Sequence, residues 1–219
     1  MVPIFMALTI VVLLAIDYFI IQPRRKQAQV RESTGHPIPL MKTIQPIPPG
    51  LFLQPSFTWT RFEENGRIML GIHPLIMGLI GPPYEVELLK DKESVKKGEP
   101  LVKINKNGRI ITLKSPVNGE IHSYNQALLG ETDWEHLNMS WLYEINPVQV
   151  SAELPAWKYS EDAGQWVNQK FQEMKSFVFD KLSTGQIGVT MADGGDIPVG
   201  ILSELNQEDL DEFQTHFLR

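Results

Sequence analysis

The chain has 219 residues and a net charge of −6, which leaves room for one medium domain or a small domain with appendages. That balance gives no footprint for nucleic acid, whose phosphates demand clustered Lys and Arg. The absence of cysteine excludes thiolate catalysis, Fe–S ligation, cysteine-based zinc sites and disulfides within this chain.

Residues 2–21 form a nearly unbroken apolar run, VPIFMALTIVVLLAIDYFII. As a helix such a run spans roughly 30 Å, the thickness of a hydrocarbon core, so a transmembrane helix is expected over 1–22, in contact with lipid through 2–22. Pro23 ends the run, and Arg24, Arg25 and Lys26 follow. A basic cluster beside a membrane helix normally stays cytoplasmic. The expected location is therefore the cytoplasmic membrane, single-pass, with the N-terminus outside and the globular part in the cytoplasm. A cleaved signal peptide would carry its basic residues before the run and a small-residue cleavage pattern after it, and neither is present. Asp17 inside the run either sits at headgroup depth beside Tyr18 or pairs with a partner helix, so it is a candidate partner contact.

Residues 23–56 read as a Pro-rich arm, with Pro37, Pro39, Pro46, Pro48, Pro49 and Pro55 favouring extended chain over helix. The arm is too apolar for a purely solvated spacer. Ile44, Ile47, Leu51 and Phe52 are candidate partner contacts, with a plain tether as the alternative.

From residue 57 the pattern changes to short strands punctuated by turns. Strands are expected at 58–62, 67–72, 84–89, 100–104, 109–113, 120–124 and 141–145, with hairpin turns at Asn65-Gly66 and Asn107-Gly108 and a brief apolar helical turn within 73–81. Many short strands with regularly spaced turns indicate a β sandwich or barrel over 57–150. The C-terminal extension, 151–219, reads as helical. A helix over 160–182 carries Trp166, Phe171, Met174 and Phe177 at helical spacing, a stripe that suits either the chain's own β domain or a partner groove; Trp166, Phe171 and Phe177 are the candidate partner anchors. A strand is expected at 186–190, a turn at 192–198, and a last helix over 207–218 capped by Asn206. The fold class is mainly β with flanking helices.

No constellation supports catalysis. The five histidines lack zincin spacing, and no serine sits in a G-x-S-x-G elbow. Asp133, Glu135 and His136 cluster near Trp134, which suits a solvated loop better than a polar site. No enzyme, metal site or cofactor is expected.

Several runs together resemble the glycine cleavage H-protein family: Phe57-Thr-Trp59, Gly66, Leu70-Gly71-Ile72, Val95-Lys-Lys-Gly98-Glu-Pro100, Ser115-Pro-Val-Asn-Gly-Glu-Ile121, Asn125-Gln-Ala-Leu128 and Ser140-Trp-Leu-Tyr-Glu-Ile-Asn-Pro147. The resemblance covers 57–147 and implies a lipoyl-like β sandwich, a barrel-sandwich hybrid. It also implies a lysine at a hairpin tip that carries lipoate. Counting back from Ser115, that position is Gly108, and the family's Glu-Ser-Val-Lys is replaced by Asn105-Lys106-Asn107-Gly108. The family's histidine at the first strand is Phe57. Lys106 is the nearby substitute for the carrier lysine, or an exposed turn lysine. The expected function is a non-catalytic, membrane-anchored accessory subunit docking onto the other subunits of a membrane complex, respiratory or photosynthetic electron transport being the first guess. The alternatives are a membrane-tethered group carrier modified on Lys106 and a membrane-fusion-type adaptor.

Overall fold

Antiparallel pairing organises residues 52–159 into two stacked sheets. A computed structural model describes residues 40, 48–82, 84–89, 93–132, 139–184 and 197–218. The chain divides into two compact units, Met1–Pro37 and Ile38–Arg219, and all the described residues belong to the second.

In chain order the strands are β1 (Phe52–Leu53), β2 (Thr58–Phe62), β3 (Ile68–Ile72), β4 (Tyr84–Leu88), β5 (Ser94–Val95), β6 (Pro100–Lys106), β7 (Arg109–Lys114), β8 (Asn118–Tyr124), β9 (Gly130–Thr132), β10 (Trp141–Val148) and β11 (Lys158–Tyr159). The helices are α1 (Pro74–Ile80), α2 (Ser160–Thr184) and α3 (Gln207–Phe217). One sheet runs β11-β1-β2-β3-β10-β8-β5 and the other β7-β6-β4-β9. Their facing sides alternate inward apolar residues, such as Ile68, Leu70 and Ile72 on β3 and Val102 and Ile104 on β6, all at most 2% exposed. The mainly β fold with flanking helices is thus present.

The strand expectations hold to within a few residues at each end. At Asn65-Gly66, Gly66 takes positive φ at +81° and the Asn65 side chain accepts from the Arg67 amide, 2.9 Å. The segment after β3 is longer than the expected single turn. Pro74 at the first position and His73 as N-cap start α1, whose seven residues are all buried. The last residues of the arm are strand: Phe52 pairs with Thr60 on one side and Tyr159 on the other. Helices α2 and α3 do not stand apart, because Phe171, Met174, Leu210 and Phe213 join one continuous core with the sandwich. Sequence periodicity places such residues on one helix face but does not say which surface that face meets.

Trp59 and Gly71 are directly opposed on β2 and β3, and the indole occupies the space a side chain at 71 would need. A Cβ on Gly71 would lie 2.2 Å from two ring carbons. Gly71→Ala is therefore expected to lose about 3 kcal/mol of unfolding free energy by overpacking. Urea unfolding followed by tryptophan fluorescence measures this, and an unchanged midpoint would show that the indole can swing aside.

The expected placement in the cytoplasmic membrane, with a cytoplasmic globular domain, is corrected: among the described residues no helix is long and apolar enough to cross a membrane. The run at 2–21 that motivated it, with Asp17, lies outside the described residues. So do Ile44 and Ile47, the strand expected at 186–190, nearly all of the 192–198 turn, and Asp133, Glu135 and His136.

Candidate functional site

The position that resembles the lipoyl-lysine site lies at the tip of the β6–β7 hairpin. Lys106 pairs with Arg109 across a two-residue loop in which Asn107 and Gly108 have φ of +53° and +82°. Positive φ at both central residues is the type I′ turn that Asn-Gly specifies. The Asn105 side chain locks it, accepting from the Gly108 amide at 3.0 Å while donating to Glu85 at 2.9 Å. The loop is exposed, and its tip carries no side chain that could be acylated.

Lys106 is not the exposed turn lysine of the sequence reading. Its side chain folds back along β6 and donates to the carbonyls of Gly81 at 2.6 Å and Pro82 at 3.1 Å, at the C-terminal end of α1. A cation there satisfies the carbonyl of the C-cap residue Gly81 and sits at the negative end of α1. Burial lowers the Lys106 pKa from its ordinary value, and the negative charge of Glu204 opposes that shift. No local signal foretold the clamp, because its acceptors lie 25 and 24 positions away. Next to it, Arg109 donates to the Leu205 carbonyl at 2.7 Å. The cavity lined by Lys106, Arg109 and Ser203 holds about 10 Å³, room for one water and too small for a prosthetic group.

The expected partner anchors fall into different settings. Leu51 and Phe171 are buried, at 7% and 3% exposure. Trp166 is half-buried against Phe57, ring centroids 4.7 Å apart, and Phe177 packs on Phe213 and Phe217. The aromatic stripe of α2 therefore meets the chain's own body. Phe52 differs: with Phe62, Trp157 and Tyr159 it forms a patch at the β11 end of the larger sheet, and Phe62 and Tyr159 are exposed at 38% and 47%. Sequence reading singled out Phe52 but missed the rest of the patch, because Phe52 and Tyr159 are 107 residues apart in the chain and meet only through the β11-β1-β2 pairing.

A polar cluster lies on β8 and β10 and at Arg67, just before β3. Glu144 accepts from Arg67 at 3.0 Å and Ser123 at 2.9 Å, with His122 3.9 Å away. Among the described residues no group of three or more His, Asp or Glu side chains could hold a metal ion.

A family profile described as Glycine cleavage H-protein matches residues 52–170, more than half of the chain. The chain belongs to this family. Among its relatives, the glycine cleavage system H protein of Stenotrophomonas maltophilia strain R551-3 is 34% identical over 102 residues, covering 45% of this chain and 78% of that protein. The probable glycine cleavage system H protein of Pyrococcus abyssi is 28% identical over 120 residues, 51% of this chain and 88% of that one. A crystal structure of a glycine cleavage system H protein from Mycobacterium marinum aligns with 57% of this chain and 98% of that one, at 20% identity and a TM-score of 0.45. H-proteins are non-catalytic carriers, in keeping with the expectation that this chain is not an enzyme. These names include no respiratory, photosynthetic or membrane component, so the accessory-subunit expectation finds no support in them.

Proposed function

We propose that this chain is a non-catalytic, carrier-type member of the H-protein family that acts by docking to partner proteins without carrying a lipoyl group. One observation carries the reading: where the family resemblance puts the acylated lysine, the hairpin has an Asn107-Gly108 turn, and the nearest ammonium, that of Lys106, is held on two backbone carbonyls. A swinging arm needs an amine free at the tip, and this amine is committed to capping α1. The exposed rings of Phe62 and Tyr159, beside the partly buried Phe52, supply the apolar anchors such docking would use.

A second reading is a group carrier acylated on Lys106. Family membership supports it, and so does the lowered Lys106 pKa, because the neutral amine is the form that reacts. Intact mass of the native protein separates the two. The expected result is the mass of the bare polypeptide at Lys106. A fixed increment that disappears in Lys106→Arg would establish the carrier reading instead.

A further inference from the structure

Three segments converge on the Lys106 ammonium: the β6–β7 hairpin that carries it, the C-terminal end of α1 and the turn at Gly200. Gly81 and Gly200 take positive φ, +74° and +87°, and approach backbone to backbone. A Cβ on Gly81 would lie 2.5 Å from the Gly200 Cα and 3.0 Å from the Lys106 Nζ. A Cβ on Gly200 would lie 3.6 Å from the same nitrogen. Positive φ and close approach both call for glycine, and both hold here. The turn is fastened from several sides. The Gly200 amide donates to the Gly78 carbonyl at 2.8 Å, the Ser203 hydroxyl donates to the Gly200 carbonyl at 2.6 Å, and Arg109 holds the Leu205 carbonyl. Ile201 and Leu202 are buried, at 5% and 2% exposure. Further along the same segment, Gln214 of α3 accepts from the Thr112 amide of β7 at 2.8 Å.

The cavity that Lys106 shares with Leu202 and Ser203 holds about 10 Å³, so no acyl group fits beside the nitrogen while the turn is closed. We propose that Lys106 is a latent acyl-acceptor amine and that the turn at Gly200, closed over it, is the shield that keeps it unmodified. With an acyl phosphate as donor, the ammonium first gives one proton to solvent. The nitrogen then bonds the acyl carbon as the carbon–oxygen bond to phosphate breaks, and a second proton leaves the nitrogen to solvent base. Each stage needs the nitrogen off the Gly81 and Pro82 carbonyls and needs room that Gly200 and Leu202 now occupy. The proposal deepens the reading above, in which no lipoyl group is carried, by naming what prevents loading. Mass of the native protein reports on cargo, whereas acylation of the purified chain reports on the shield, so the two fail separately.

The test treats the full chain with acetyl phosphate at mildly alkaline pH and follows each lysine by peptide mass. Exposed Lys96 is the internal reference. In the parent chain Lys106 is expected to react about tenfold more slowly than Lys96. Burial lowers the Lys106 pKa, which by itself favours the reactive neutral amine, so protonation does not account for slow reaction. Leu202→Ala makes room in the cavity, and Arg109→Ala unfastens the Leu205 carbonyl; both leave the Gly81 and Pro82 carbonyls in place. Each variant is expected to speed Lys106 about tenfold, with Lys96 unchanged and the Leu70 amide of β3 still protected from exchange. The proposal is overturned if Lys106 of the parent chain reacts as fast as Lys96, or if it stays slow in both variants.

Discussion

Acidification from pH 7 to pH 4 is expected to remove about 3 kcal/mol of stability through His73 alone. The imidazole is fully buried, and burial lowers its pKa from 6.5 to about 3. Its Nδ1 accepts from the Leu75 amide at 3.1 Å, so protonation would also remove the cap of α1. The sign follows from the lower folded value. The unfolded chain takes up the proton first, so the full stability is present above pH 6.5 and is lost as pH falls toward 3. Between pH 6.5 and 4.5 the slope approaches about 1.4 kcal/mol per pH unit. That window lies above the range of Glu144 and Glu173, whose lowered pKa values start from an ordinary 4.5. Urea unfolding at a series of pH values checks this. His73→Asn, which keeps a capping acceptor but does not titrate, is expected to flatten the slope. A flat profile in the parent chain would mean that water reaches the ring.

Phe213→Ala is expected to cost about 3–5 kcal/mol, the range for emptying a buried aromatic site. Phe213 is 0% exposed and packs on Phe177 and Phe217 with centroids 5.9 and 4.9 Å away. It belongs to the same cluster as Ile68, Leu70 and Ile145 of the sandwich, so the loss should move one cooperative transition to lower denaturant. Tryptophan fluorescence and far-ultraviolet circular dichroism should report the same midpoint. A separate early transition, with the β signal unmoved, would show that the C-terminal extension folds as its own unit.

Local chemistry was legible in the sequence. Asn107-Gly108 demands positive φ at two successive residues and therefore dictated a tight hairpin; Asn206 before an acidic turn dictated the start of α3, where its side chain accepts from Asp209 at 2.9 Å. The ordered glycine and proline motifs from 57 to 147 were enough to place the chain in its family. These features follow from interactions within a few residues, or from a pattern repeated along the chain.

What only the tertiary structure decided are contacts between distant positions. Lys106 looks like any turn lysine until residues 81 and 82 bring it two carbonyls. His73 becomes a cap with a strongly lowered pKa because burial removes its water. The stripe of α2 that also suited a partner surface is met by Phe57, Phe213 and Phe217, whereas Phe52, partly buried against the core, joins a patch whose exposed members are Phe62 and Tyr159. Gln214 carries no signal in its own helix, yet it ends a sheet 102 residues earlier in the chain. Periodicity specifies which residues share a face, since that depends on the backbone repeat alone. What covers the face depends on how the elements pack, and that is a property of the whole chain's burial of apolar surface and pairing of polar groups.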